Sequence, residues 1–120
     1  MNYMFLIYGN EATAPKPPED KAERDAWMAP WNDYTAALQK AGVYVGSNPL
    51  QPTMTATTIS LAEGKSEPMF TDGPFAETKE QLAGYYLVDC KNLDEALAWA
   101  AKCPGVRFGR VEVRPVADFS

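Results

Sequence analysis

The sequence predicts a single α+β domain that combines one antiparallel sheet with two helices packed on one of its faces. Short segments of strand-like composition alternate with two segments of helical periodicity, and this order favours the α+β class. The length of 120 residues is typical of one domain and allows a hydrophobic core without disulfides or a metal. Residues 1–120 are therefore expected to fold as one unit.

The first third of the chain predicts a strand followed by a long helix. Residues 3–8 are aromatic and aliphatic and end at a Gly-Asn turn. Within residues 19–41, large apolar side chains recur every three or four positions: Trp27, Trp31, Tyr34 and Leu38. This face, tryptophans included, is expected to pack into the core. Pro30 has no backbone N–H, so we expect it to kink the helix or to split it near residue 28.

The middle of the chain predicts short strands and a hairpin. A strand over residues 43–45 is expected to end at the Gly-Ser-Asn-Pro sequence that follows. Residues 55–61 and 67–71 are expected to pair as a hairpin. Asp72-Gly73-Pro74 predicts a tight turn. Residues 76–82 fit either a helical turn or an extended arm.

The last third predicts strand, helix and strand. Residues 85–90 form the first of these strands. Asn92 followed by Glu95 resembles a capping box and begins a helix that ends before Pro104. Residues 108–116 alternate charged with apolar side chains, which is typical of a half-buried strand. Two β-α-β units in this order predict a ferredoxin-like sheet with both helices on one face.

The first strand is apolar on both of its faces, and this pattern predicts a homodimer. Tyr3, Phe5 and Ile7 alternate with Met4, Leu6 and Tyr8. A strand that is apolar on both faces is buried on both faces, yet two helices cover only one side of a sheet. A second copy that packs sheet to sheet would cover the other side. The alternative is that the tyrosines on that side face water.

Charge and composition exclude several classes of function. The formal net charge is −5, whereas nucleic acids and anionic membranes attract basic surfaces. The chain has no His and two Cys, Cys90 and Cys103, which are expected to be buried reduced thiols. No metal site or cofactor motif is present in the sequence. The N-terminal segment does not resemble a signal peptide, so a cytoplasmic location is expected.

The sharpest local motif is the Asp72-Gly73-Pro74-Phe75 turn. Its carboxylate is a candidate acid, base or cation-binding group. The structural alternative is that the turn only reverses the chain and that Phe75 fills the core. Arg110, Glu112 and Arg114 are predicted to project from one face of the last strand, where an arginine can bind an anion through two hydrogen bonds. Intersubunit ion pairs or simple solvation are the alternatives there.

The run from Thr71 to Leu82, TDGPFAETKEQL, resembles the hallmark of the DGPF family within the YCII-related proteins. Similar segments extend through residues 3–9, 41–58, 84–89 and 111–116, so the resemblance covers nearly the whole chain. It implies a dimeric α+β barrel and places Asp72 in a functional cleft. Some YCII-related proteins are proposed to use a His–Asp pair, which this chain lacks because it has no His. An association of the family with alternative sigma factors implies a regulatory setting.

Two hypotheses follow from these observations. The first is a domain, enzymatic or not, that binds an unknown small molecule in a cleft associated with the dimer, with Asp72 as the candidate catalytic residue. Its candidate binding residues are Tyr8, Asp72, Gly73, Pro74, Phe75, Glu77, Lys79 and Arg114. The second is a non-catalytic regulatory module that binds a protein such as a sigma factor, which predicts an exposed apolar patch.

Overall fold

The structure is a computed structural model that describes residues 1–120, and it contains two helices and six strands. The strands are β1 (Asn2–Gly9), β2 (Tyr44–Pro49), β3 (Thr57–Ser60), β4 (Met69–Asp72), β5 (Gln81–Asp89) and β6 (Gly109–Pro115), and the helices are α1 (Lys21–Lys40) and α2 (Leu93–Ala100). Short 3₁₀ turns cover Thr53–Thr55 and Pro104–Arg107. No helix has the length and apolar character needed to cross a membrane.

Four strands form the main sheet in the order β2-β5-β1-β6, and every neighbouring pair is antiparallel. The two central strands are β1 and β5, which are the most apolar ones, as expected for strands with neighbours on both sides. Helix α1 connects β1 to β2, and α2 connects β5 to β6. The two strands of each β-α-β unit are not neighbours in the sheet, because a central strand of the other unit lies between them. The predicted α+β class with a ferredoxin-like arrangement is confirmed.

The core lies between the sheet and the helices. Tyr3, Phe5 and Ile7 of β1 point into it, and Phe5, like Leu38 of α1, is completely buried. Aromatic rings of Tyr34 and Tyr86 meet edge to face, with centroids 5.2 Å apart. The Tyr34 hydroxyl donates a hydrogen bond of 2.8 Å to the Trp99 carbonyl and so joins α1 to α2.

A side chain caps the start of each helix, and the cap at Asn92 is the one that the sequence indicates. The Asp20 carboxylate accepts a hydrogen bond from the Glu23 N–H, and the Asn92 side chain accepts one from the Glu95 N–H. Of the two outcomes expected at Pro30, a kink or a split, the split is wrong, since one helix runs through Pro30 from Lys21 to Lys40. The half of the helix that follows Pro30 is held by Trp31, Tyr34 and Leu38, which lie in the core or pack against it.

Other boundaries also differ from the predictions. Strand β2 does not end at Val45, because Val45 forms a bulge opposite β5 and pairing resumes at Gly46. Strand β3 begins at Thr57, two residues late, because Thr53–Thr55 takes up a 3₁₀ turn. The ambiguous segment 76–82 contains no helix, and its end belongs to β5.

Strands β3 and β4 form a separate two-stranded sheet, which we call the arm (residues 57–72). The arm is anchored at its base, where the Thr53 N–H and hydroxyl donate hydrogen bonds of 2.9 and 2.8 Å to the Glu11 carboxylate. Its apolar side chains are exposed: Ile59, Leu61, Met69 and Phe70. The radius of gyration is 16.8 Å, against about 13.6 Å expected for a compact chain of this length. The arm thus extends the molecule beyond its core.

Candidate functional site

A polar groove lies on the face of the main sheet that points away from the helices, which we call the open face. The groove has a volume of about 450 Å³. Its lining residues come from β1, β6 and the segment just before β5, and they are Tyr8, Glu80, Arg110, Val111, Glu112 and Arg114. It contains two guanidinium groups, two carboxylates and one phenol.

Strand register brings these side chains together. In the pairing of β1 with β6, Tyr8 lies opposite Arg110, Leu6 opposite Glu112 and Met4 opposite Arg114. Side chains directly opposite on neighbouring strands point to the same face, so the charged row of β6 lies beside the apolar row of β1. The prediction that Arg110, Glu112 and Arg114 share one face is confirmed, because Val111 and Val113 pack against the core on the other face.

Gly109 allows β6 to approach β1 closely at the end of the groove. A Cβ atom at this position would overlap the carbonyl oxygen of Tyr8. Gly109 is paired with Gly9, which also lacks a side chain. The close approach of the two strands therefore depends on Gly109, and a larger residue at this position would push β1 and β6 apart.

Ion pairs hold the charged groups of the groove. The Arg110 Nε atom lies 3.2 Å from Glu80 Oε1, and the Arg114 Nη2 atom lies 3.2 Å from Glu112 Oε2. The Tyr8 hydroxyl donates a long hydrogen bond of 3.5 Å to Glu112 Oε1. Because three of these four ion-paired side chains are well exposed, each pair is worth about 0–1 kcal/mol. An incoming anion would therefore displace a glutamate from either arginine at a small cost in free energy.

The predicted site residues fall into two groups. Tyr8 and Arg114 line the groove together, and their role in binding a ligand stays a prediction. Residues of the DGPF turn do not line the groove, and Glu77 and Lys79 are exposed in the segment between the turn and β5. The interpretation of Phe75 as a core residue is wrong, because its side chain is 89% exposed at the base of the arm.

The turn itself is well defined by backbone contacts. Asp72 ends β4 opposite Thr57, and the Gly73 N–H donates a hydrogen bond of 2.7 Å to the Ala56 carbonyl. The Thr58 hydroxyl donates one of 2.8 Å to the Gly73 carbonyl. Gly73 has a backbone φ of 94°, which residues with a Cβ atom rarely adopt. The exposed Asp72 carboxylate therefore projects from a rigid turn.

Glu80 is a groove residue that the sequence did not identify individually. It lies in the same TDGPFAETKEQL run as Asp72, so this run does reach the groove, through its tenth residue. In this segment the sequence indicated Glu77 and Lys79 as candidate binding residues and not Glu80. Its ion pair with Arg110 joins residues thirty positions apart, and spacing along the chain does not reveal such a contact.

A second, apolar cavity lies on the helix side of the sheet. It has a volume of about 250 Å³ and lies between the first half of α1 and the turn at Pro104–Arg107. Trp27 and Trp31 line it, and only Trp31 also packs against the core. The prediction that both tryptophans are core residues is therefore only half right.

The two cysteines are buried and line neither the groove nor the apolar cavity. Burial raises the pKa of the Cys90 thiol to about 11 and also raises the pKa of Cys103, so neither thiol is an activated nucleophile. Nowhere in residues 1–120 do three or more His, Cys, Asp or Glu side chains lie close enough together to hold a metal ion. The groove offers guanidinium, carboxylate and phenol groups, which are suited to binding a polar molecule.

Comparison with known proteins agrees with this fold. The family model described as the YCII-related domain matches residues 1–120. An uncharacterised protein of Rhizobium meliloti (strain 1021) is 38% identical over 122 residues, which cover 98% of this chain and 93% of that protein. By its architecture, the protein is a ferredoxin-like α+β domain. Within that class, the chain belongs to the YCII-related family.

Proposed function

We propose that the protein is a homodimer that binds a small anionic molecule in the groove of Tyr8, Arg110 and Arg114. The observation that supports this function most directly is the pair of guanidinium groups beside a phenol in one cavity of about 450 Å³. Arginine binds carboxylates and phosphates through two parallel hydrogen bonds, and Tyr8 adds a hydrogen-bonding hydroxyl.

The surface area of the chain supports the dimer. The accessible surface of one chain is 8901 Å², against about 6,400 Å² expected for a folded monomer of 13.2 kDa. The excess of about 2,500 Å² is comparable to the area that each protomer loses in an obligate dimer, roughly 1,000–2,500 Å². A chain that exposes this much surface is suited to pairing with a second copy.

The composition of the open face supports sheet-to-sheet pairing. Met4, Leu6, Tyr85 and Leu87 lie next to one another on the two central strands, and all four are half-buried rather than covered. Tyr85 accepts a hydrogen bond of 2.9 Å from the Asn48 side chain, which satisfies its hydroxyl at the edge of this patch. The groove borders the same patch, so a second protomer on the open face would cover part of the groove and enclose it.

Titration with small anions tests the binding function. Inorganic phosphate, citrate and succinate are added to the purified protein, and binding is measured by calorimetry. At least one is expected to bind the native protein and to bind Arg114→Gln about tenfold more weakly, because a hydrogen bond to a charged group is lost. Arg24→Gln is the matched control, since Arg24 lies on α1 and contacts the Pro18 and Glu19 carbonyls.

Asp72 has a separate test, because it does not line the groove of its own protomer. If a partner places Asp72 near the groove, Asp72→Asn will change anion affinity in the dimer. Repulsion between its carboxylate and the anion would be removed, so the affinity is expected to rise. Unchanged affinity would remove Asp72 from the proposed site and leave the groove residues as the binding group.

The arm supports a second candidate function, binding of another protein. Ile59 lies opposite Phe70 on one face of the arm, and both are more than half exposed, at 60% and 66%. Exposed apolar patches of this kind mark interaction surfaces. A pull-down with an alternative sigma factor, repeated with Phe70→Ser, tests this function. Capture that persists with Phe70→Ser would exclude the arm as the binding surface.

A further inference from the structure

The apolar cavity on the helix side of the sheet, which we call the cleft, is distinct from the groove. It opens between the first half of α1, the end of β1 and the turn at Pro104–Arg107. Its apolar walls are formed mainly by Trp27, Trp31 and Phe108. The charged groove residues of β6 point to the other face of the sheet, and Tyr8 is the one residue that both cavities share.

The cleft exists because small residues and a bulge leave its floor without large side chains. Ile7 pairs with Gly84 and Tyr8 with Leu82, so Ala83 is the extra residue of a bulge and lines the cleft. Gly105 also lines it, and a Cβ there would meet Ile7 at 2.8 Å. No long side chain from these positions fills the space.

The walls are stiff. Three prolines line the cleft, Pro15 before α1, Pro30 within α1 and Pro104 at the start of the 3₁₀ turn. Proline fixes its own backbone dihedral φ, so these segments lose little further freedom when a ligand binds. Trp31 is additionally held by its packing against the core. The cleft is therefore a preformed cavity.

One charged side chain, Arg107, lines the cleft. Arg107 lies at the end of the 3₁₀ turn, is exposed, and has no hydrogen bond or ion pair with any side chain of the protein. The other groove and helix arginines, by contrast, all have partners: Arg24, Arg110 and Arg114. An arginine with free donors beside aromatic walls is suited to an acidic group on an aromatic ligand.

We propose that this cleft binds a small planar aromatic carboxylate, with its ring between Trp27, Trp31 and Phe108 and its carboxylate on Arg107. An apolar cavity of about 150 Å³ is large enough to take up benzene. The volume of about 250 Å³ found here accommodates one ring with a carboxylate, or two fused rings. Aromatic rings favour edge-to-face or offset contact with a bound ring, and indole supplies the largest such surface.

Benzoate is the probe, and calorimetry is the measurement. Benzamide has the same shape without the charge, and acetate has the charge without the ring. We expect benzoate to bind at millimolar concentration or below, benzamide to bind about tenfold more weakly, and acetate to show no heat of binding. Equal affinity for benzoate and benzamide, or no benzoate binding at all, would overturn the proposal.

Variants assign the binding to the cleft. Arg107→Gln is expected to weaken benzoate about tenfold and to leave benzamide unchanged, whereas Arg24→Gln changes neither. Ala83→Leu fills the cleft and is expected to abolish binding of both, and circular dichroism confirms that the variant is folded. Should Ala83→Leu not fold, Trp27→Ala replaces it, with both ligands expected to lose affinity because the ring contact is removed.

The same titrations separate the cleft from the groove. Arg114→Gln is expected to leave benzoate binding intact while weakening phosphate, citrate or succinate. Benzoate binding that is lost in Arg114→Gln and kept in Arg107→Gln would place the probe in the groove and overturn the cleft assignment. Failure of the anion titrations with benzoate binding retained would overturn the groove alone.

Discussion

The Nε atom of Arg110 lies 3.2 Å from the Oε1 atom of Glu80, and this contact joins the last strand to the TDGPFAETKEQL run. Arg110 is 82% exposed while Glu80 is only 33% exposed, so the ion pair lies at the edge of the groove with its carboxylate the better shielded partner. Replacing one partner therefore leaves the other still able to reach solvent or a ligand.

Removing the Glu80 carboxylate is expected to strengthen anion binding without unfolding the protein. In Glu80→Gln, Arg110 loses its negative partner and its donors become available to a ligand. The free energy of unfolding, measured by urea titration, should change by less than about 1 kcal/mol because the ion pair is largely exposed. Affinity for the anion that binds the native protein should rise. A fall in affinity would show that Glu80 contributes to ligand binding directly.

A negative charge on the open face is expected to separate the dimer. Leu6 lies on the central strand β1 between Tyr85 and Glu112, where its side chain would be covered by a second copy. Sedimentation velocity should give the native protein twice the mass of one 13.2 kDa chain and Leu6→Asp the mass of one. Leu93→Asp is the control, because Leu93 is an exposed apolar residue at the start of α2, on the helix side.

A native protein that sediments as a monomer at micromolar concentration would contradict the dimer. The open face would then be wet, as in the alternative in which its tyrosines face water. Leu6→Asp and Leu93→Asp would in that case sediment alike.

Gly109→Ala is expected to destabilise the protein and to disturb Tyr8. Its added Cβ would overlap the Tyr8 carbonyl oxygen, so β1 and β6 must move apart. Such overpacking typically costs about 1–3 kcal/mol, which a urea titration would detect. Gly46→Ala is the matched control, since a Cβ there has no neighbour within 4 Å. Similar unfolding free energies for the two variants would contradict the close approach of the strands.

Stability is expected to fall in alkaline solution as buried thiols and phenols ionise. Burial raises the pKa of Cys90 from its ordinary 9.0 to about 11, so between these pH values the unfolded thiol loses a proton that the folded thiol retains. Unfolding is thus favoured progressively from pH 9 to pH 11. Burial also raises the pKa of Tyr34 and Tyr86, which steepens the loss above their ordinary 10.0.

Cys90→Ala isolates the thiol contribution to this pH dependence. The variant lacks the Cys90 proton, so its melting temperature should fall less steeply than that of the native protein over the same range. Its absolute stability is expected to be lower near neutral pH, because a small cavity replaces the sulfur. If the melting temperatures of the variant and the native protein fall equally steeply with pH, ionisation of Cys90 is not coupled to unfolding.

Local patterns were sufficient for the fold class and for most elements. The periodicity of α1, the side-chain cap at Asn92 and the alternation of β6 depend on residues within a few positions of one another. Short-range physics therefore predicts them. Errors appeared where a contact distant in sequence competes with a local preference, as at Val45, where pairing with β5 continues the strand beyond a bulge, and at Pro30, where packing maintains one helix.

The candidate sites depended more heavily on tertiary structure. The sequence indicated Tyr8, Arg114 and the charged row of β6, because alternation alone assigns side chains to a face. It could not show that Glu80 reaches Arg110, that Phe75 is exposed, or that Trp27 lines a cleft. Those facts depend on how distant segments pack, and a contact between residues thirty positions apart leaves no periodic signal.

The sequence by itself determined the succession of strands and helices along the chain, the two apolar faces of β1 and the absence of histidine chemistry. Hydrogen-bonding propensity and the repeat of apolar side chains act over a few residues, so these properties are present before the chain folds. Only the tertiary structure decided the order of the strands within the sheet, their register and the cavities. The bulge at Ala83, the close contact at Gly109 and the projection of the arm arise only when remote segments meet.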